Sequence, residues 1–162
     1  MMRAYLSLGS NLGDSASFLR KALKMLPPEG VRIRKVSSLY KTEPVEFLAQ
    51  PWFVNCAAVV ETHLSPRELL GKIKSVERAL GRRRGKPKGP RLIDIDILLY
   101  ENVVVSSFRL AVPHPRLTER RFVLVPLREI APRVTHPISG KTVSELLRNT
   151  ADKSKVVKVK KK

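Results

Sequence analysis

Two aspartates lie two positions apart in an otherwise apolar stretch of the chain. Asp94 and Asp96 alternate with Ile93, Ile95 and Ile97. In a β-strand this period of two puts both carboxylates on one face, roughly 6.5 to 7 Å apart, and the three isoleucines on the other. The pair could therefore act together on one ligand.

The face that carries the aspartates should also carry Leu92, Leu98 and Tyr100, so the predicted strand from residue 92 to residue 100 is apolar on both sides. Such a strand is expected to be covered, and two like charges there are costly unless cations or protons neutralise them. Hard oxygen ligands at this spacing suit magnesium bridging to phosphate, including a two-ion site. The alternative is an edge strand whose polar face meets water.

Basic side chains crowd the approach to this strand. They are Arg82, Arg83, Arg84, Lys86, Lys88 and Arg91. Arginine forks match phosphate oxygens bidentately and stabilise charge that builds up during phosphoryl transfer. The alternative is a solvated run of charge, but the acid pair beside it favours a phosphate site.

An aromatic ring and an amide share one face of another predicted strand. Phe53 and Asn55 are two positions apart in a strand predicted from residue 53 to residue 62, so their side chains point to the same face. A stacking ring beside an amide that both donates and accepts can recognise a flat heterocycle. The alternative is a core phenylalanine and an asparagine that closes a loop.

Three further features have a structural and a functional interpretation. Glu77 falls on the apolar stripe of a predicted helix and could pair with Arg82 or contact a ligand. His114, between two prolines, could bind phosphate or close a turn. The segment 9–13, Gly-Ser-Asn-Leu-Gly, lacks the lysine of a phosphate loop and is interpreted as a tight turn that begins a helix.

The elements that position these residues follow from hydrophobic periodicity. Strands are predicted at 4–8, from 31 towards 40, at 53–62 and at 92–100, and helices after residue 13, from 66 to 81, at 122–130 despite Pro126, and at 142–148. The order β-α-β-β-α-β predicts an α+β fold: a ferredoxin-like sandwich, mainly an antiparallel sheet with helices packed against one face.

Length and composition limit the class of protein. The 162 residues fit one domain, predicted over residues 1–150, followed by a lysine-rich tail over 151–162 that could be solvated, form an edge strand or bind acidic partners. Lysine and arginine outnumber acids by 32 to 14, which attracts polyanions. The single Cys56, the absence of an apolar run of roughly 20 residues and the lack of a signal-peptide pattern predict a cytoplasmic protein.

Five segments in this order and spacing resemble the 6-hydroxymethyl-7,8-dihydropterin pyrophosphokinase family of folate biosynthesis. They are Tyr5 to Asn11, Gln50 to Asn55, Glu77 with Gly81-Arg82, Gly89 to Asp96, and Val112 to Pro115. The resemblance runs from residue 4 to about residue 132. It implies an enzyme that moves the β,γ-diphosphate of ATP to the pterin hydroxymethyl oxygen and releases AMP.

The resemblance also assigns roles to residues of this chain. Asp94 and Asp96 are implied as ligands of two magnesium ions that act with ATP, and as catalytic residues together with Arg82 and Arg91. The implied ATP-binding residues are Lys74, Glu77, Arg82, Arg84, Arg91, Ile97, Arg109, His114 and Arg120. The implied pterin-binding residues are Thr42, Pro44, Val45, Phe53, Asn55 and Phe122.

Four positions depart from the pattern of that family. Lys74 stands where a glutamine can contact the nucleotide, Lys88 where an aromatic is frequent, Ala111 where some members have a hydroxyl, and Glu46 where glycine is common. They concern nucleotide affinity and loop closure rather than the reaction.

A nucleic-acid-binding module is the competing class, since ferredoxin-like domains also bind RNA and the chain is basic. Such a domain needs exposed stacking aromatics on its central strands. Here the matching strand carries aspartates, which repel a phosphate backbone. We therefore expect ATP and the pterin as partners, no nucleic acid, no membrane, and a monomer.

Overall fold

The computed structural model describes residues 1–45, 48–81 and 92–160. Its strands are β1 (Met2–Ser10), β2 (Val31–Val36), β3 (Tyr40–Thr42), β4 (Phe53–Thr62), β5 (Asp94–Tyr100), β6 (Val105–Ser106), β7 (Ala111–Val112) and β8 (Val156–Lys158). Its α-helices are α1 (Ser15–Met25), α2 (Pro66–Ala79), α3 (Arg121–Ile130) and α4 (Val143–Asn149). Two short 3-10 turns, Pro27–Glu29 and Leu117–Glu119, complete the described elements.

The main sheet has the order β5-β1-β4-β3-β8, with β2 also paired to β4, and all its pairs are antiparallel. This confirms the predicted ferredoxin-like α+β class. The strand predicted from residue 31 towards residue 40 is two strands, which pair with different parts of β4. Between them the Ser37 hydroxyl accepts the amide of Ala57 at 2.8 Å, so a side chain replaces one rung of the ladder.

Alternating residues of the sheet build two separate cores. The first contains Leu6, Leu8 and Ile95 and packs against α1 and α2. The second contains Tyr5 and Val59 and packs against α3 and α4. The prediction that helices cover only one face is therefore wrong, because the amphipathic α3 and α4 bury their apolar sides against the other face.

A bulge in β5 changes which face its last residues occupy. Leu6 of β1 lies opposite Ile97, but Tyr5 lies opposite Leu99, so Leu98 is the extra residue. Tyr100 consequently belongs to the first core. The prediction from strict alternation that Tyr100 shares the face of the aspartates is therefore wrong. Leu98 does remain on that face, in the second core.

The helices begin where the sequence indicates a start. Ser65 and Glu68 form a capping box at α2, with Pro66 in the first position. Thr142 and Glu145 form the same box at α4. α3 differs, because its N-cap residue Arg120 provides no side-chain hydrogen bond.

One carboxylate joins α3 to the sheet. Glu129 accepts hydrogen bonds from the Ser38 amide at 2.9 Å, the Ser38 hydroxyl at 3.2 Å and the Tyr40 hydroxyl at 2.5 Å. Burial opposes the charged form, but these bonds outweigh it and lower the pKa of Glu129. Burial and the same bond raise the pKa of Tyr40 to about 12.

Replacing Glu129 by Gln should lower the free energy of unfolding by about 1 kcal/mol at pH 7, a value that allows for the solvent exposure of the carboxylate. Because the pKa is lowered in the folded protein, this contribution is present above the usual glutamate pKa and is lost as the pH falls through the folded-state value. Urea unfolding from pH 7 to pH 2, with the exposed Glu119→Gln as control, measures it. A difference that does not shrink in acid contradicts the assignment.

Candidate functional site

A cavity of about 240 Å³ opens on the second face of the sheet. It brings together the end of β1, the start of β4 and β5, the segment after β3, and the start of α3. Its lining residues are Ser7, Gly9, Thr42, Glu43, Pro44, Val45, Gln50, Phe53, Asn55, Asp94, Asp96, His114, Arg120 and Phe122.

Strand register explains why these residues meet. On β1, Ser7 lies opposite Asp96 of β5, and Gly9 lies opposite Asp94 on one side and Asn55 of β4 on the other. Tyr5, two residues earlier on the same face of β1, packs in the second core with residues of α3 and α4. The part of this face around Tyr5 is thus covered by helices, and the part around Ser7 and Gly9 lines the cavity.

Asn55 is fixed at the centre of the cavity floor. It is buried, and its amide nitrogen donates to the Thr42 hydroxyl at 2.6 Å. A Cβ at Gly9 would clash with Asn55 Oδ1, so glycine is required for the amide to occupy this place. The same bond joins the end of β3 to the start of β4, so Asn55 closes the connection between these strands and also lines the cavity.

Two phenylalanines contribute the aromatic part of the lining. Phe53 begins β4, and Phe122 lies in the first turn of α3. The guanidinium carbon of Arg120 lies 5.5 Å from the centre of the Phe122 ring, within the range of a cation–π interaction. Both rings are half-buried and can offer apolar surface to a flat ligand.

Carboxylates define the opposite part of the lining. Burial first, then the charges of Asp94 and Glu77, raise the pKa of Asp96 to about 7. Glu77 is buried and accepts the amide of Ile95 at 2.9 Å, so it satisfies a donor on the outer strand β5. Lys74 Nζ lies 3.5 Å from Glu77 Oε1.

His114 lies beside these acids in its neutral form. Burial lowers its pKa, and the nearby positive charge of Arg120 acts in the same direction. Its Nδ1 accepts the Arg116 amide at 3.1 Å, which assigns the ring proton to Nε2. Arg120 and His114 thus provide cavity-lining groups that can donate to an anion.

The lining contains most of the predicted ligand residues that the structure describes. All six predicted pterin residues are there, with Asp94, Asp96, His114 and Arg120. Lys74 and Glu77 lie behind the acid pair. Ile97 packs in the first core and Arg109 is exposed between β6 and β7, so their contacts with ATP stay predictions. Arg82, Arg84 and Arg91 fall outside the described residues.

Four lining residues were absent from the predicted site. They are Ser7, Gly9, Glu43 and Gln50. Alternation along β1 puts Ser7 and Gly9 on one face. The segment 9–13 predicts a turn at Gly9, whereas β1 continues to Ser10 and pairs Gly9 with Asn55 and Asp94. Gln50 is held by Asn11, whose amide donates to Gln50 Oε1 at 2.9 Å and to the Pro51 carbonyl at 3.0 Å. Nothing local in the sequence indicates that pairing.

The acid pair fits magnesium bound together with a phosphate ligand. Within residues 1–45, 48–81 and 92–160, no group of three or more His, Cys, Asp or Glu side chains forms a complete metal cage. Magnesium usually binds through one or two carboxylates and completes its shell with phosphate oxygens and water. Asp94 and Asp96, half-buried in the cavity lining and mutually repelling, match that donor set.

The fold and the cavity define a small ferredoxin-like α+β protein with a heterocycle-sized aromatic pocket beside a carboxylate pair. The family model described as 7,8-dihydro-6-hydroxymethylpterin-pyrophosphokinase (HPPK) matches residues 5–132. The chain belongs to this family.

Named relatives agree with this assignment. The chain is 49% identical over 148 residues to 2-amino-4-hydroxy-6-hydroxymethyldihydropteridine pyrophosphokinase of Methylorubrum extorquens, covering 91% of this chain and 92% of the relative. It is 46% identical over 145 residues to the protein of that name from Aquifex aeolicus, covering 90% of each. It also matches folic acid synthesis protein fol1 of Pneumocystis carinii at 39% identity, covering 91% of this chain but only 20% of that protein.

Solved structures support the fold. Wild-type HPPK-DHPS of Plasmodium falciparum superposes with a TM-score of 0.72 at 17% identity, covering 91% of this chain and 44% of that chain. A structure of HPPK-DHPS in complex with substrates gives a TM-score of 0.71 at 14% identity, covering 91% and 43%. At these identities the likeness concerns the fold alone.

Within residues 1–45, 48–81 and 92–160, no helix is long and apolar enough to cross a membrane.

Gly9→Ala should lower the free energy of unfolding by about 1 to 3 kcal/mol, because the new methyl group must displace the Asn55 amide. The matched control is Gly71→Ala, in α2, where nothing lies within 4 Å of an added Cβ. That control should raise the free energy by about 0.5 to 1 kcal/mol, since alanine favours a helix. Chemical denaturation of both variants tests the difference. Equal effects would contradict the tight approach of Gly9 to Asn55.

Asp96→Asn should raise the free energy of unfolding of the metal-free protein by about 1 to 2 kcal/mol at pH 8. The pKa of Asp96 is raised in the folded protein. Its contribution to the free energy of unfolding is therefore fully present below the usual aspartate pKa and is lost as the pH rises towards 7. The advantage of the variant should therefore vanish near pH 4. Thermal unfolding in EDTA at both pH values measures it. A variant less stable than wild type at pH 8 would disprove the repulsion.

Proposed function

We propose that this chain transfers pyrophosphate from ATP to the hydroxymethyl group of 6-hydroxymethyl-7,8-dihydropterin and releases AMP, as a step of folate biosynthesis. One observation carries the proposal. A single cavity joins a pocket of Phe53, Phe122 and Asn55 to the carboxylates of Asp94 and Asp96. A heterocycle in the pocket would present its substituent to phosphate groups at the acid pair.

The pterin end of the cavity has the chemistry to bind a polar, flat ring. Phe53 and Phe122 supply apolar surface, with Pro44 and Val45 beside them in the lining. Asn55 uses one amide hydrogen on Thr42, which leaves it a second donor. A heterocycle with both donors and acceptors on its edge can therefore be fixed in one orientation.

At the phosphate end, Asp94 and Asp96 are proposed as the residues that would hold two magnesium ions acting with ATP. When bound, magnesium neutralises phosphate charge and fixes the phosphate oxygens. Arg120 and the neutral His114 are proposed to donate to ATP from the cavity wall. Arg82, Arg84 and Arg91 are proposed to steady the triphosphate, and Lys74, Glu77, Ile97 and Arg109 to lie along the nucleotide site.

The chemical step depends mainly on positioning. The pterin hydroxymethyl oxygen attacks the β-phosphorus of ATP, a new oxygen–phosphorus bond forms, and the bond from the β-phosphorus to the oxygen bridging the α-phosphate breaks. AMP carries away the bond electrons, and the hydroxyl proton passes to water. The protein contributes orientation and electrostatic stabilisation, so a strong general base is unnecessary.

The remaining assignments are parts of the same proposal. We propose that the chain works as a cytoplasmic monomer, with no nucleic acid or membrane as partner. The buried Cys56 supports the cytoplasmic location. Burial raises the pKa of its thiol to about 12, as expected of an unreactive reduced cysteine. The acids on the cavity face also disfavour a nucleic-acid backbone at that place.

Asp94→Ala should reduce AMP formation by more than about 100-fold, because it removes one of two charges that neutralise the cation beside the triphosphate. The assay incubates protein with ATP, magnesium and 6-hydroxymethyl-7,8-dihydropterin and resolves AMP from ADP. The control is Asp14→Ala, which removes the side-chain cap of α1, outside the cavity lining. ADP as the product, or wild-type protein that forms no AMP, would overturn the proposed function.

A further inference from the structure

The C-terminal segment pairs with the strand that leads into the pterin side of the cavity. β8 lies antiparallel to β3, with Val156 opposite Thr42. Beyond the strand, the Lys155 amide donates to Glu43 Oε1 at 2.7 Å, and the Glu43 amide donates to the Lys155 carbonyl at 3.1 Å. Thr42 and Glu43 both line the cavity, so this segment is attached to one of its walls.

The same segment caps the helix that forms another wall. Asp152 Oδ2 accepts the amide of Arg121 at 2.8 Å, and Arg121 Nε donates to the Ser154 carbonyl at 3.1 Å. Asp152 is distant in sequence from α3, and it supplies at the N-terminus of this helix the side-chain hydrogen bond that the N-cap residue Arg120 does not provide. The neighbours of Arg121, Arg120 and Phe122, both line the cavity.

Within four residues, therefore, the chain is bonded to both walls. Asp152 Oδ1 also accepts the Ser154 amide at 2.8 Å, which stiffens the short connection between the two attachments. Glu129 fixes the far end of α3 to Ser38 and Tyr40. The end of α3 at the cavity is the end that Asp152 holds.

We propose that residues 152–158 are a positioning element that sets the distance between the Phe122 wall and the Thr42–Glu43 wall. They act on pterin affinity without being among the lining residues of the cavity. The inference rests on the proposed function for its substrate. The segment lies beyond residues 5–132, which the family model covers.

The bonds that carry this role are independent of the lysine side chains. Lys155 acts through its main-chain amide and carbonyl, and Asp152 bonds two main-chain amides. A second groove, lined by cations such as Arg128, Arg148 and Lys153, lies beside the segment and could attract an acidic partner. Charge and positioning can therefore be separated by experiment.

Asp152→Ala tests the positioning role. The expected result is a rise in the KM for the pterin of about 5- to 10-fold, with kcat and the KM for ATP within about twofold of wild type, since the reacting groups are untouched. Removal of residues 151–162 should produce at least the same rise. Replacing Lys153, Lys155, Lys158 and Lys160 by Gln should leave the KM for the pterin unchanged.

Thr142→Ala is the matched control, because it removes a side-chain cap from α4, which lies outside the cavity lining. It should lower the melting temperature as Asp152→Ala does, with no change in the KM for the pterin. Equal increases in the KM for the pterin in Asp152→Ala and Thr142→Ala overturn the proposal. So does an unchanged KM for the pterin in both Asp152→Ala and the truncated chain. An increase confined to the lysine variant would show that charge, not the main-chain bonds, sets the KM for the pterin, and would also overturn the proposal.

Hydrogen exchange gives a readout that does not depend on activity. In Asp152→Ala, amides of residues 42–45 and 121–124 should exchange at least about 10-fold faster than in wild type, while those of α4 keep their rates. If wild-type protein forms no AMP but this exchange pattern is found, the proposed function fails and the positioning role survives without its substrate. Unchanged exchange overturns the positioning role.

Discussion

The repulsion between acids at one end of a covered sheet is the constraint on which the site depends. Asp94 and Asp96 lie on the same face as the second core, and Glu77 adds a third carboxylate from behind the strand. Enclosure makes the ionised form of Asp96 costly in the absence of a cation. A cation with bound phosphate removes that electrostatic cost. The destabilisation of the ligand-free protein at this place therefore favours ligand binding.

Among the described residues, the helices leave part of that sheet face to the cavity. α1 and α2 cover the opposite face, and α3 and α4 cover only the part of this face around Tyr5 and Val59. Gly9 of β1 then leaves room for the side-chain amide of Asn55, its partner on β4. One cavity thus holds aromatic and amide groups close to carboxylates. A packed apolar core would exclude such carboxylates.

Local pattern predicted much of this arrangement. Alternation placed Phe53 with Asn55 and Asp94 with Asp96, since side-chain direction along a strand is set by the backbone. It failed at Tyr100, because a one-residue bulge depends on the register between β1 and β5 rather than on β5 alone. The second helix layer and the bond between Asn11 and Gln50 were missed for the same reason, as both depend on tertiary contacts. The roles of Arg82, Arg84 and Arg91 rest on the family resemblance.

The pairing of β8 with β3 has a consequence for how separate molecules meet. An uncovered strand edge is a template on which another chain can add its own strand. β8 occupies that edge of β3, and it is itself only three residues long. It follows Lys155, ends in Lys158 and is separated from Lys160 by Val159 alone. Intermolecular sheet growth at this margin would bring like charges together, so the basic end of the chain opposes self-association into aggregates.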